Sequence, residues 1–497
     1  MTRFFKTLLF SSLCAGMSLT SVAQEPLRCG ADPVMSKWLE QYFAGQIAVE
    51  KNDEFLYVPL TIHIFGDDNG EGYVSVNSVL NALCTLNEDY ASANIQFYIQ
   101  GDIRYANKTR YYSHTQNSTG SSLNAEYNVP NSVNCYIVNN AGGALGYAPP
   151  GGTYVVLNKG EMRTGSHTWP HEMGHALSLP HTFYGWENYD FNYENIAPDR
   201  VYGGLTPAGR LVERTDGTNC QSAGDGFCDT SPDYLSVRWD CDENGKSTIV
   251  QKDPNGVTFK SDGTNVMSYS YDECVTRFSD DQKQAMRAHV QTAKAYMLNR
   301  AQPVPNIDGL SPQLISPSKN ESVLFNNVFL EWQAIPDASH YLVEVSRVST
   351  FAAQLTNRYS VKTNSMTVTD LITDRTYYWR VKAYNRNSFC ASFSTNNSFK
   401  TTTTTAANDL DTKSVFEVFP NPLAEDQALT IQVNTPDKTK LLVRLFDSSG
   451  KLLQSSDYEV LAGENILNFK PNKLAKGLYL LSFTTNKGNA IKRITIQ

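Results

Sequence analysis

The stretch HEMGHALSLPH at 171–181 places three histidines and a glutamate at spacings that let them share one metal ion. On an α-helix, residues four apart lie about 6 Å from each other and about 40° round the axis, so His171 and His175 project from one face. Pro180 disfavours helical geometry at Leu179, so the helix must stop near Ser178 and the chain must turn before it delivers His181. Three neutral imidazoles leave one tetrahedral position of zinc open, the arrangement of a catalytic rather than a closed structural site. Zinc lowers the pKa of water in that position to about 7. Glu172, about 100° round the helix from His171, is the carboxylate placed to take the proton as general base. A helix whose histidines are merely satisfied by hydrogen bonds would leave the joint presence of these four side chains without a reason.

Elements able to hold these side chains flank them. Between 55 and 300, the strand-like runs FLYVPLTIHIF, IQFYIQ and VNCYIVNN are interleaved with VNSVLNALCTLNEDYA, whose apolar residues recur at helical spacing. This region is α/β in character. From 308 to 402 the texture changes to short alternating strands, with Trp332 early and the Tyr377, Trp379, Val381 run later, which reads as a small β-sandwich. A threonine-rich polar linker covers 403–414, and a second all-β unit occupies 415–497. The expected fold is multidomain: an α/β catalytic domain followed by two all-β sandwich domains, as a chain of 497 residues requires.

Residues 1–23 run from Arg3 and Lys6 through an apolar stretch to Ser21, Val22 and Ala23, the pattern of a secretory signal peptide, with a pro-segment at 24–54. Serine and threonine interrupt the stretch too early for a membrane anchor, and no other span of the mature chain is long enough to cross a bilayer. Export makes the remaining cysteines disulfide candidates. Cys84 and Cys135 are available to each other, and Cys220, Cys228, Cys241 and Cys274 allow three pairings. A net charge of -8 argues against nucleic acid as a partner.

Downstream, NVMSYSYDEC places Met267 and Tyr269 in a turn-rich segment. Together with the histidine motif this resembles the metzincin clan of zinc peptidases. HEMGHALSLPHTF, TDGTNCQSAGDGFCDTSPDY and NVMSYSYDEC make residues 55–300 most similar to the pappalysin family. The resemblance implies a metzincin-like catalytic domain in which His171, His175 and His181 bind zinc and Glu172 is general base and then acid. It further implies that Met267 forms the Met-turn beneath the metal and that Tyr269 hydrogen-bonds the tetrahedral oxyanion. The clan has glycine where this chain has Ser178, at the bend after the second histidine.

Other segments extend the expectation. LRCGADP resembles the cysteine-switch sequence of metzincin zymogens, so Cys29 is a candidate to occupy the water position until the segment is removed, with a disulfide as its alternative; Asp32 is a second candidate. AGGALGYAPPGGTYVVLN matches the clan's strand that borders the cleft, its alternative being a structural bulge. Asp225, Asp229 and Asp233 form an acidic cluster that could hold calcium. Asp272 and Glu273 follow the Met-turn, where the clan walls the pocket for the residue after the cut bond, and would favour arginine or lysine there. Residues 308–402 resemble a fibronectin type III module. FEVFPNP, LLVRLFDSSGKLL, GLYLLSF and IKRITIQ in 415–497 resemble the type IX secretion C-terminal sorting domain. The whole reads as a zinc endopeptidase acting on extracellular proteins or peptides, exported through the periplasm of a Gram-negative bacterium by the type IX machinery and then secreted or cell-surface attached. The rival is a surface adhesin with a degenerate metal domain, which would have no need to keep all three histidines and Glu172.

Overall fold

The structure, a computed structural model, describes residues 27–48, 52–202, 209–298, 304–403, 415–424, 426–447, 451–485 and 488–497. The expected signal peptide at 1–23 and nearly all of the expected linker at 403–414 lie outside the described residues. The chain is mostly β-structure with few helices.

The first region is built on a nine-stranded mixed sheet of β1 (Leu27–Cys29), β2 (Leu56–Gly66), β3 (Ile95–Ile99), β4 (Arg104–Asn107), β5 (Ser113–His114), β6 (Val133–Val138), β7 (Asn140–Ala141), β8 (Ala144–Tyr147) and β9 (Tyr154–Asn158). Its helices are α1 (Lys37–Phe43), α2 (Val76–Tyr90), α3 (Thr109–Tyr112), α4 (Thr119–Tyr127), α5 (Thr168–Ala176) and α6 (Asp280–Gln291). β2 pairs in parallel with β3, β4 and β6, and β6 in parallel with β9. Covered on both faces, LTIHIF and VNCYIV are largely apolar and almost wholly buried, and their polar members are paired, Thr61 with Ser132 and His63 with Asn134. α2 closes one face with Val79, Leu80, Leu83, Leu86 and Tyr90, a helical stripe that packs on the core, and Ser75 caps its start by accepting from Ser78 N. β8 runs antiparallel to β9, and its far edge is covered by β1 in parallel register, Cys29 opposite Gly146.

The next region stacks a three-stranded sheet (Leu314–Ser316, Val328–Trp332, Ser365–Val368) on a five-stranded one (Glu321–Leu324, His340–Ser346, Thr356–Val361, Thr376–Tyr384, Asn397–Thr402), with Trp332 and Trp379 fully buried in its core. It is fastened to the first region. Ile99 N donates to Arg386 O, Lys362 Nζ meets Asp102 at 2.7 Å, and Leu342, Tyr384 and Phe389 join the core of the first region. The C-terminal region has sheets of three and four strands enclosing a separate core.

Three disulfides are present among the described residues: Cys84–Cys390, Cys220–Cys228 and Cys241–Cys274. The expected availability of Cys135 for pairing is corrected. Cys135 points from β6 into the sheet's core and stays a free thiol, whereas Cys84 on α2 faces the loop of the adjoining region and meets Cys390. No helix among the described residues is long and apolar enough to cross a membrane.

Candidate metal centre and cleft

α5 is buried along its whole length and carries His171, Glu172 and His175. It ends at Ala176 because Leu177 N and Leu179 N both return to Gly174 O, and Ser178 takes a left-handed conformation with φ of 77°. That conformation costs a non-glycine residue about 1–2 kcal/mol. The bend then brings His181 to the point at which the two helix histidines aim.

The imidazoles converge through Nε2, with His175 at 3.2 Å from His171 and 3.1 Å from His181. Their outer nitrogens decide where the ring protons sit. His171 Nδ1 lies 2.8 Å from Val266 O and His175 Nδ1 2.8 Å from Leu179 O. Carbonyl oxygens only accept, so both Nδ1 atoms carry the proton and both Nε2 atoms keep a lone pair. His181 Nδ1 faces Glu187 Oε1 at 3.0 Å, leaving its Nε2 turned inward as well. Burial, above all, lowers the pKa of each ring, that of His181 to about 3, so the rings stay neutral. Three lone pairs this close, with no proton between them, repel one another unless a cation lies among them. Tetrahedral coordination at about 2.0–2.1 Å keeps nitrogens about 3.3 Å apart, so the donor set fits zinc. Cys29 Sγ joins the group, all four ligand atoms lying within 4.8 Å of one another.

Glu172 Oε2 accepts from the Cys29 thiol at 3.4 Å, while Oε1 has no protein partner. Burial pushes its carboxyl up to about 8 against smaller opposing effects of the Cys29 hydrogen bond and Arg28. The edge strand passes so close that a Cβ at Gly146 would lie 2.8 Å from Glu172 Cγ, so only glycine fits there. Met267 is fully buried under α5, with Sδ 2.4 Å from where a Cβ on Gly174 would be. The Tyr269 ring lies 5.0 Å from that of His181, and its hydroxyl donates to Cys29 O at 3.2 Å.

Other expected residues divide. Asp272 is half-buried and pairs with Arg163 at 2.7 Å and with the fully buried Arg28 at 3.9 Å. Arg28 Nη1 also donates to Ser270 O. Glu273, next to Asp272, is exposed and forms no ion pair among the described residues. Asp32 is likewise exposed and its carboxylate is not among the converging ligand atoms, so Cys29 alone of the two reaches the site. The aspartates 225, 229 and 233 do not converge either: Asp229 is exposed and caps α6 by accepting from Ser279 Oγ and Asp281 N, and no second ligand group forms among the described residues. Two residues escaped the sequence reading, Arg28 and Glu187. A glycine-centred turn followed by an acid shortly after the third histidine, YGWE at 184–187, was the available signal for Glu187.

Residues 417–497 match the family model described as Secretion system C-terminal sorting domain. The last region is a type IX secretion sorting domain. A protein with this sorting domain is exported, to be released or held at the cell surface. Over 320 residues the chain is 23% identical to an extracellular metalloprotease of Neurospora crassa, covering 57% of this chain and 95% of the relative. A Sordaria macrospora extracellular metalloprotease is 24% identical over 331 residues, 58% of this chain and 98% of the relative. One from Pyricularia oryzae is 25% identical over 214 residues, 36% and 72% of the two chains. The exported chain ahead of the sorting domain is thus a distant relative of extracellular metalloproteases.

Proposed function

We propose that the protein is a secreted zinc endopeptidase of the metzincin clan, pappalysin-like, held latent by its N-terminal segment. Residues 55–300 form its catalytic domain and 308–402 a fibronectin type III-like domain. The observation that carries this reading is the convergence of three Nε2 lone pairs beside Glu172, whose free oxygen has no protein donor. Zinc held by His171, His175 and His181 would supply Lewis acidity that acidifies water and polarises a peptide carbonyl.

Glu172 takes the proton of the attacking water and returns it to the leaving amine. Burial raises its carboxyl above the ordinary carboxylate range, which favours its holding the proton before passing it on. Tyr269, kept neutral by burial, donates to the developing oxyanion from the position in which it now donates to Cys29 O. Extended substrate pairs along the β8 edge once β1 has left it. Asp272, freed from Arg28, takes a basic side chain after the scissile bond. Until then the Cys29 thiol stands at the metal ligands and Arg28 fills the pocket, which accounts for latency.

The test is limited proteolysis of the N-terminal segment of the full chain, followed by incubation with a denatured-protein library and mass spectrometry of the cut ends. Hydrolysis that a chelator abolishes and zinc restores, with arginine or lysine after the cut bond, is expected. A zinc-loaded, trimmed chain that cuts nothing would contradict the reading.

A further inference from the structure

The third histidine is held differently from the first two. His171 and His175 donate to neutral backbone carbonyls, whereas His181 donates to a carboxylate, Glu187 Oε1, at 3.0 Å. Glu187 is only 7% exposed, and its other oxygen accepts from Gly185 N at 2.7 Å. No lysine or arginine pairs with it among the described residues; its charged-type contact is the one with the neutral His181 ring. The intervening turn is built for this contact. Tyr184 N returns to His181 O, Trp186 N returns to Phe183 O, and Gly185 has φ of 102°. Phe183 stacks on the His181 ring at 4.5 Å, and Trp186 anchors the turn by stacking on Tyr234 at 4.6 Å.

We propose that Glu187 is a positioning residue for the metal, fixing the His181 ring with Nε2 inward through its contact at Nδ1. This rests on the zinc peptidase reading. A carboxylate behind a ligating imidazole raises its basicity and locks its orientation, and loss of such a partner costs about 10–100-fold in metal affinity. The position requires glutamate rather than glutamine. Both oxygens accept, one from His181 Nδ1–H and one from Gly185 N–H, and an amide would turn its NH2 toward one of these donors.

The experiment measures zinc affinity of the full chain by chelator competition, and the visible absorption of the cobalt-substituted protein, for the wild type, Glu187→Ala and Glu187→Gln. Both variants should bind zinc about 10–100-fold more weakly, with shifted cobalt ligand-field bands, glutamine no better than partly rescuing. Circular dichroism of the metal-free forms reports folding, and if the alanine variant does not fold, the glutamine variant decides. Folded variants with wild-type zinc affinity and an unchanged cobalt spectrum would overturn the role of Glu187 alone. A wild-type chain that binds no zinc would instead overturn the underlying reading and this inference with it.

Discussion

Around His171 every outer nitrogen has its own acceptor and the inner nitrogens are left facing one another; around Asp225 and Asp233, also deeply buried, the carboxylates are already supplied with donors. Asp225 accepts from Phe227 N and Thr230 Oγ1, and Asp233 from Leu235 N and Thr182 Oγ1. Burial pushes them up to about 7 and about 6. Only Glu213 Oε2 lacks a partner there, and burial, then the charges of Asp225 and Asp233, push Glu213 up to about 9. A proton on Glu213 relieves that cluster. Burial opposes the second proton that would relieve the histidines, because it disfavours an imidazolium at that depth. What separates the two regions is therefore the sign of the burial effect: it favours a proton on Glu213, whose Oε2 has no other partner, and opposes one on the inward-facing Nε2 atoms.

Glu172→Gln gives the sharpest expected effect on the histidine side: zinc content unchanged and peptide turnover lower by about 10²–10⁴-fold. Turnover above a tenth of wild type would remove Glu172 from proton transfer. Tyr269→Phe should lower kcat by roughly 10–1000-fold with little change in KM, since its hydrogen bond strengthens as the oxyanion forms. An unaltered kcat would make it a packing residue against Phe183 and His181.

On the acidic side, Glu213→Gln tests whether a proton suffices. A carboxyl whose folded pKa is raised contributes full stability below about 4.5 and loses it as pH rises through about 9. The glutamine variant, permanently neutral, should therefore melt with the wild type near pH 4.5 and be more stable by about 1–3 kcal/mol at pH 7. A variant less stable than wild type in calcium-containing buffer would mean that a cation occupies the acidic cluster, and the contrast between the two regions would collapse. The smallest effect is expected at the bend. Ser178→Gly relieves about 1–2 kcal/mol of left-handed strain but loses the Ser36–Ser178 hydrogen bond at 3.1 Å. Chemical denaturation should show a net change within about 1 kcal/mol, and a larger loss would show that the serine side chain holds the bend.

Much of the histidine cluster was legible because helical geometry is local: His171 and His175 share a face by spacing alone, and Pro180 forces the turn before His181. The contacts of Asp225, Asp229 and Asp233 were not legible, because the three lie close in sequence while what each one binds, including a helix N-terminus fifty residues on, is a matter of tertiary contact. Cys84 and Cys390 are 306 residues apart, and nothing in the spacing of cysteines could bring the two regions together. Arg28 shows the same limit, since its meaning comes from Asp272, across the cleft. The apolar runs of β2 and β6 and the Trp-marked strands around Trp332 and Trp379 were readable from periodicity, because a strand's burial is written into alternate or continuous apolar residues.

The most direct measurement of the central claim is anomalous diffraction at the zinc edge from crystals of the full chain grown without added chelator. A single strong peak is expected among the Nε2 atoms of His171, His175 and His181, about 2.0–2.1 Å from each, with none in the acidic cluster around Glu213. No peak among the histidines in zinc-supplemented crystals, or a metal held at Asp225 and Asp233 instead, would contradict it.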